Sequence, residues 1–584
     1  MTMFSARRIK EKDTQAMGVS HLHHRSARQT ARLRQIMIIS IICLAIYCFL
    51  LVPDESLDGS RSIHPEAYQS QSQHTNKGES HNTLPADLLS NRFLTEGRCR
   101  ATFPGLFEEI DDEVAKGPFK LERRENDLGP LIARIQDGQP AQLYILSAAR
   151  KTDLSGDMLA HRSATLHQMA NALLTWPRPS PSSPSSSPSS HIPNTIFAFN
   201  HHDDPLPNTF SYSRPADPVL LTTPSGSPKR FFPIPHFSFY SWPLPFIGSM
   251  QRAAHQISLL ESSLPFSEKI PRAVWRGTTW FNNPRAGRLR QNLVRAFGTS
   301  EDSANPNREK ARKWVDIESL DWSSSGLKRG RGDSGERNAT NALRIEDFCK
   351  YKYIIHTEGV TYSGRFQFHN LCASVVLTPP VAWMQHVTHL LRPVFSYTLD
   401  PHAVDSPSSS SSSSFSSSSS SSSSRSFFSF FFPHQSTREN ENGNGKEKEK
   451  GVEKNASGLP RVPIDLGTRE KPPPLSPYPA PWVRAAWPTE HDASEANIVF
   501  VAPDWSDLEA TVAWLEAHPR IAEGIARRQR ALFADGGYLS PAAEMCYWRG
   551  LIRGWSEVVR VEHGAFDDLE GVTWEEFSLK EIHK

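Results

Sequence analysis

Residues 349–380 constrain the fold more than any other part of the chain. They read CKYKYIIHTEGVTYSGRFQFHNLCASVVLTPP. YKYIIH and SVVLTPP are β-branched and aromatic runs, the composition of strands. Between them lie a polar turn, Glu358-Gly359-Val360-Thr361-Tyr362-Ser363-Gly364-Arg365, and a stretch that reads as a helix. A turn that leads from a strand into a helix presents free backbone N–H groups, here with a cation beside them, and such a place suits a phosphate. The turn is neither a Walker A loop nor GxGxxG, so its glycine spacing alone does not separate a nucleotide site from an ordinary βα loop.

The pattern recurs upstream. LIARIQDGQPAQLYILSA (131–148) reads as a hairpin with Gly138 at its turn. SATLHQMANALLTW (163–176) puts Leu166, Met169, Ala170, Leu173 and Leu174 on one helical face. NTIFAFN then returns as a buried strand. This order of strand, helix and strand favours an α/β fold with parallel pairing. Downstream, DLEATVAWLEAHPRIAEGIARRQRALF reads as helix, proline break, helix, with Asp504 or Ser506 as a cap.

Other segments cannot build a core. PRPSPSSPSSSPSS (177–190) is a surface loop, and residues 300–340 are polar and charged. Residues 399–495 hold a long serine run, a phenylalanine cluster and an Asn/Glu/Lys tract, and read as a disordered insertion. With 45 Pro and 38% hydrophobic residues the chain suits a globular enzyme carrying such inserts, and its 14 Trp and 31 Phe are ample for a core and a sugar-stacking cleft. The formal charge of +2 names no partner, and nucleic acid is not expected among them.

IMIISIICLAIYCFLLV (36–52) is uncharged and near the lower end of the length needed for a spanning helix. Arg7, Arg8, Lys10, Lys12, Arg25, Arg28, Arg32 and Arg34 precede it, and Asp54, Glu55 and Asp58 follow. The positive-inside rule puts residues 1–35 in the cytosol as a basic tail and the bulk of the chain in the lumen. The apolar run ends on Phe49, Leu50, Leu51 and Val52 rather than on small residues, which favours a retained signal anchor over a cleaved peptide. Its short length suits early secretory membranes, so the chain is expected to be a single-pass type II protein of the endoplasmic reticulum or Golgi. Residues 53–97 read as a stem. Asn338-Ala339-Thr340 and Asn455-Ala456-Ser457 are glycosylation sequons in a luminal chain. Cys99, Cys349, Cys372 and Cys546 would be luminal, where disulfides persist, but four cysteines allow three connectivities.

CKYKYIIHTEGVTYSGRFQFHNLCASVV resembles the signature of the CAP10-like proteins, glycosyltransferase family 90, which includes protein O-glucosyltransferases and fungal capsule-related xylosyltransferases. IFAFNHHDDP (196–205), KIPRAVWRGTTW (269–280), and VFVAPDWSDLEATVAWLEAHPRIAEGIARRQRALF (499–533) agree with that family in order, and CYWRGLIRGW (546–555) resembles its ending. The resemblance covers roughly residues 125–560, with interruptions. It implies a GT-B-like pair of Rossmann-type domains, with 98–268 as the acceptor half, 269–398 as the donor half, and 496–584 as the rest of that half with the terminal helices. It also implies a Cys349–Cys372 bridge, by the family's cysteine pairing at equivalent places, and leaves Cys99 and Cys546 as a second pair.

Moving a sugar from a nucleotide needs a base for the acceptor proton, stabilisation of the departing diphosphate and a cleft that excludes water. Asp203 and Asp204 end the strand IFAFN at a turn before Pro205, a place that serves a base as well as it serves turn capping. The family's Asn-x-x-Asp-x-Pro context, matched by Asn200–Pro205, selects Asp203 and leaves Asp204 as the alternative. His201 and His202 add possible metal ligands, but consecutive side chains on a strand point to opposite faces, and the resemblance implies a metal-independent reaction with no permanently bound cofactor. Cations and backbone amides must then hold the diphosphate. The candidates are Arg365 with the Val360–Gly364 turn, Arg276-Gly277-Thr278 at a second strand end, and either Arg285 or Arg288. The aromatic segment around Phe237, Phe239, Tyr240 and Trp242 reads equally as core packing or as a wall of the acceptor cleft. The expected activity is transfer of xylose or glucose from a UDP-sugar to a glycan or protein hydroxyl. A catalytically inactive glycan- or protein-binding member of the same fold is the alternative.

Overall fold

The computed structural model describes residues 83–582 except 124–128, 139–140, 178–190, 282–287, 302, 304, 323–338 and 400–477. The basic tail, the apolar run 36–52, most of the stem, Arg285, Asn338 and Asn455 therefore lie outside the described residues. Among the described residues no helix is long and apolar enough to cross a membrane. Ser80–Lys584 forms one compact unit.

The earlier part of this unit carries β1 (Phe119–Leu121), β2 (Leu131–Gln136), β3 (Gln142–Ser147), β4 (Thr195–Phe199), β5 (Thr209–Ser211), β6 (Arg214–Pro215) and β7 (Phe231–Pro233). The later part carries β8 (Ile270–Gly277), β9 (Val315–Ser319), β10 (Tyr351–Ile355), β11 (Val375–Thr378), β12 (Trp383–Met384), β13 (Pro393–Phe395) and β14 (Ile498–Phe500). β15 (Val559–Val561) and β16 (Val572–Thr573) follow. The main helices are α1 (Glu108–Ala115), α2 (Gly156–Leu174), α3 (Met250–Ser263), α4 (Leu289–Phe297), α5 (Phe366–His369), α6 (Pro481–Ala486), α7 (Leu508–Ala517), α8 (Pro519–Arg530), α9 (Pro541–Val558) and α10 (Trp574–Ile582).

Two six-stranded sheets organise the unit. The later one runs β13-β14-β11-β10-β8-β9 and every pair in it is parallel. Its central strands are apolar on both faces, as a sheet covered by helices on both sides requires, and β11 and β14 are buried throughout. The earlier sheet, β16-β3-β2-β4-β5-β7, is mixed. β2 is antiparallel to both neighbours, so β3 and β4 run the same way on either side of it, joined by α2. The parallel pairing expected from strand, helix and strand is met only by β4, β5 and β7, because the hairpin partner β2 inserts between β3 and β4. On α2, Leu166, Met169 and Leu173 are buried as the periodicity requires, whereas Leu174 is 66% exposed in the last turn.

The two sheets are stitched at several places. β6 and β12 form an antiparallel ribbon that joins the halves. Helix α9 crosses from the later half back onto α1 and α2, where Trp555 donates to the Ile196 carbonyl and Trp548 to Gln168. Cys99 is bonded to Cys546, and Cys349 to Cys372.

Residues 399–495 are not one insertion. From Tyr478 onward the chain is packed: Trp482, Val483 and Trp487 around α6 are core residues, and the Trp487 ring meets Phe500 at 5.2 Å. Apolar content after the proline-rich run explains this, since two tryptophans and a valine bury enough surface to order a short helix. The rings of Tyr397 and Tyr478 lie 5.8 Å apart, so the chain leaves and rejoins the fold at one place. The cap of α7 also differs from expectation. Asp507 stands there, its carboxylate accepting from the Ala502 amide, while Asp504 accepts from Ser506.

Candidate active site

The turn after β10 is built by its own backbone and by contacts from both halves. The Gly359 amide donates to the carbonyls of Thr361 (3.0 Å) and Tyr362 (3.2 Å), which folds the chain back on itself. A Cβ on Gly364 would lie 2.3 Å from His236 Nε2, so only glycine lets the turn approach the aromatic segment of the earlier half this closely. Glu358 is buried, and its carboxylate accepts from the amides of Ala382 (3.0 Å) and Trp383 (2.9 Å) at the joining ribbon. Helix α5 is a single turn of 4 residues with Arg365 as its N-cap. A helix this short carries little dipole, so any anion here depends on side-chain cations and not on a helix end.

Opposite this turn, β4 ends in Asn200. The Asn200 side chain donates to the Asp204 carbonyl (2.6 Å) and accepts from the His202 amide (3.2 Å), fixing residues 200–204 as a tight loop. Asp203 is exposed on this loop, and its backbone carbonyl accepts from Thr361 of the later half. Its carboxyl reaches solvent, yet protein surrounds it on enough sides that desolvation pushes its pKa up to about 6, with Arg290 opposing and Asp157 adding to the shift. Asp204 is only partly exposed. His201 is 1% exposed and neutral by desolvation, and neither ring nitrogen has a hydrogen-bond partner among the described residues. The same holds for the hydroxyl of Tyr362. Buried polar groups in this state are completed by water or by a ligand. Among the described residues, His201, His202, Asp203 and Asp204 do not bring three metal-ligand atoms within 4.8 Å of one another.

Two guanidinium groups lie at the turn, and the charge of one of them, Arg290, reaches Asp203. Arg365 donates to the Arg276 carbonyl, and burial lowers its pKa to about 10. Arg290, near the start of α4, donates from Nε to Thr357 Oγ1 (3.2 Å) and the Glu358 carbonyl (2.9 Å), and from Nη1 to the Thr278 carbonyl (3.1 Å). Its pKa falls to about 9 through burial first and then the nearby charge of Arg365, while Asp203 and Glu358 pull the other way. Both remain cationic at neutral pH. Two desolvated cations that repel each other form a place where an anion is stabilising.

The sequence-derived candidates fare unequally. Of the turn Val360–Arg365, Thr361 reaches the Asp203 loop directly, through its hydroxyl on the Asp203 carbonyl. The Arg276 side chain is paired with carboxylates of the neighbouring strand, 2.7 Å from Asp316 and 3.7 Å from Glu318. Gly277 provides close packing instead, since a Cβ there would meet Trp275 at 2.5 Å and Arg365 at 3.1 Å. Thr278 contributes its carbonyl to Arg290 and its hydroxyl to Trp322. Arg288 is exposed at the N-terminus of α4. The buried cation is Arg290, two residues further on, which sequence reasoning missed. Its signal was placement: it falls one residue inside the apolar face of α4, beside the buried Leu289. Phe237 and Phe239 are core residues, at 2% and 8% exposure. Tyr240 is 43% exposed and lies flat on His167, with ring centroids 4.4 Å apart, and Trp242 is partly exposed beside His236.

No curated protein matches the chain. The family model for glycosyl transferase family 90 matches residues 187–403, a segment that runs from the approach to β4 through β13 and holds Asp203, Arg290 and Arg365. Residues 187–403 are thus similar to glycosyl transferase family 90.

Proposed function

We propose that the chain transfers a sugar, xylose or glucose, from a UDP-sugar to a hydroxyl of a glycan or protein acceptor, with Asp203 as general base. The observation that carries this reading is a raised-pKa carboxyl, Asp203, tied through Thr361 to the turn and within electrostatic reach of the desolvated Arg290, which in turn feels the charge of Arg365. The two sheets would act as a GT-B-like pair, the parallel one holding the nucleotide near the turn after β10 and the mixed one presenting the base. The acceptor hydroxyl gives its proton to Asp203 as its oxygen bonds to the anomeric carbon. The bond from that carbon to the diphosphate oxygen breaks, and the departing UDP keeps the electron pair. Its growing negative charge meets Arg365 and Arg290, where a hydrogen bond to a charged group is worth about 1.5–3 kcal/mol. A positioned base supplies about 10²–10⁴ in rate. Tyr240, which is exposed, and Trp242, which is partly exposed, are the acceptor-side platform.

The place of action is the lumen of the endoplasmic reticulum or Golgi, with 36–52 as the anchor, and the reaction proceeds without a metal. Hydrolysis and transfer assays of residues 80–584 against a panel of UDP-sugars, with and without chelator, test this. Turnover of UDP-xylose or UDP-glucose is expected, unchanged by chelator. Binding of UDP without turnover of any donor would move the chain to the non-catalytic reading.

A further inference from the structure

The base loop and the nucleotide-side turn meet at a single hydroxyl. Thr361 is fully buried, and its Oγ1 donates to the Asp203 carbonyl at 2.7 Å. The two residues are 158 positions apart and lie on opposite halves of the unit. The rest of the loop is held from its own side, because Asn200 takes the His202 amide and the Asp204 carbonyl. Among the described residues the Asp203 carbonyl receives no other donor. On the turn side, the Thr361 carbonyl accepts from Gly359, so its peptide is tied into the fold of the turn. Tyr362, the next residue, carries its ring to 6.0 Å from Tyr212 and 5.6 Å from His236.

We infer that Thr361 is a positioning residue, and that its hydroxyl couples occupation of the nucleotide-side turn to the placement of the Asp203 carboxyl. This rests on the reading of Asp203 as base. The side chain of Asp203 is one rotatable backbone unit from the carbonyl that Thr361 holds. An ordering of residues 358–365 around a diphosphate is therefore passed directly to the base. Thr361 thus serves catalysis by orientation and not by contact with phosphate, the role its position in the turn first suggests. A misplacement of a catalytic group by about 1 Å costs on the order of 10²-fold in rate, which sets the scale of what the hydroxyl protects.

Thr361→Val keeps the β-branched shape and removes the donor. Thr361→Ser keeps the donor and removes a methyl group. The Val variant should lose about ten- to a hundredfold in kcat, with donor KM and the Kd for UDP within about twofold of wild type. The Ser variant should recover most of the rate. In an Asp203→Asn background, Thr361→Val should cost nothing further, since the group it places is gone. Hydrogen exchange gives a readout independent of activity. Without ligand, amides 200–204 should exchange faster in the Val variant than in wild type. Added UDP should slow them in wild type but not in the Val variant, although calorimetry shows UDP bound to both. Unchanged exchange at 200–204 in the Val variant overturns the coupling, whatever the enzyme's donor proves to be. A tenfold weaker UDP affinity with unchanged kcat also overturns it and returns Thr361 to the nucleotide. Failure of wild type to bind UDP at all would instead refute the proposed function, and the ligand-free exchange comparison would still decide the positioning role.

Discussion

Replacing Asp203 by Asn separates what the carboxyl does for the reaction from what it costs the fold. The substitution keeps the shape of the side chain and the backbone carbonyl that Thr361 holds, and it removes only the ability to take a proton. Transfer should fall about 10²–10⁴-fold, the usual contribution of a general base, while UDP affinity changes by less than about threefold. The stability effect has the opposite sign. The wild-type carboxyl moves from an ordinary value of 3.8 to about 6 on folding, so the folded state binds the extra proton and stability falls as pH rises between those values. A shift of about 2 units corresponds to about 3 kcal/mol at full strength. The group opens to solvent, and screening reduces this to about 1 kcal/mol. Asn carries no such penalty. Thermal denaturation should therefore place the variant about 1–2 °C above wild type at pH 7.5, with the gap closing as pH falls toward 4. The rate of wild type should rise through an acid limb centred near pH 6. Calorimetry with UDP, melting curves at several pH values and a pH–rate profile make up the assay. A fully active Asp203→Asn with a dead Asp204→Asn would move the base by one residue. A variant that melts below wild type at pH 7.5 would refute the desolvation argument.

The two cations should fail differently. Arg365→Ala should lose about 10- to 150-fold in UDP affinity, the worth of one charged hydrogen bond, and Arg365→Lys should recover part of it. Titration with uridine, which lacks phosphate, should show little change, and equal losses for both ligands would mean that Arg365 only supports the turn. Arg290→Lys should also weaken UDP but melt several degrees lower, because one amine cannot replace the fork that holds Thr278, Thr357 and Glu358. A normal melting temperature there would show that those bonds contribute little. Replacing residues 401–476 by a short Gly/Ser linker should leave UDP binding intact and raise stability by up to about 2 kcal/mol, since cutting a loop from roughly 80 to roughly 10 residues is three halvings at about 0.6 kcal/mol each. Trp487→Ala, just beyond it, should instead destabilise by about 3–5 kcal/mol, and aggregation of the linker protein would show that the excised segment belongs to the fold.

What could be read from the sequence was whatever local chemistry decides. The strands YKYII and VVLT announce themselves through β-branched residues, whereas Asp203 is singled out only by the resemblance of Asn200–Pro205 to a family context. Arg365 could be read from its turn, but Arg290 could not, because an arginine's role depends on which counter-charge the fold brings to it. Arg276 stands in a run that resembles a phosphate turn, yet β9, 40 residues away, supplies Asp316 and pairs its charge. Arg290 has no signature beyond its place next to the apolar Leu289, yet its partners, 12, 67 and 68 residues away, are carbonyls and a hydroxyl that hold it without neutralising it. The aromatic segment follows the same logic. A short 3-10 turn at Phe237–Phe239 directs both phenylalanines inward and leaves Tyr240 outside, a division that composition alone cannot make. Burial with neutral hydrogen-bond partners does not by itself mark a site, since Arg549 is also buried and, among the described residues, donates only to the Arg92 and Thr175 carbonyls. What distinguishes Arg290 is that its charge also reaches Asp203 and Glu358, which the fold brings beside it.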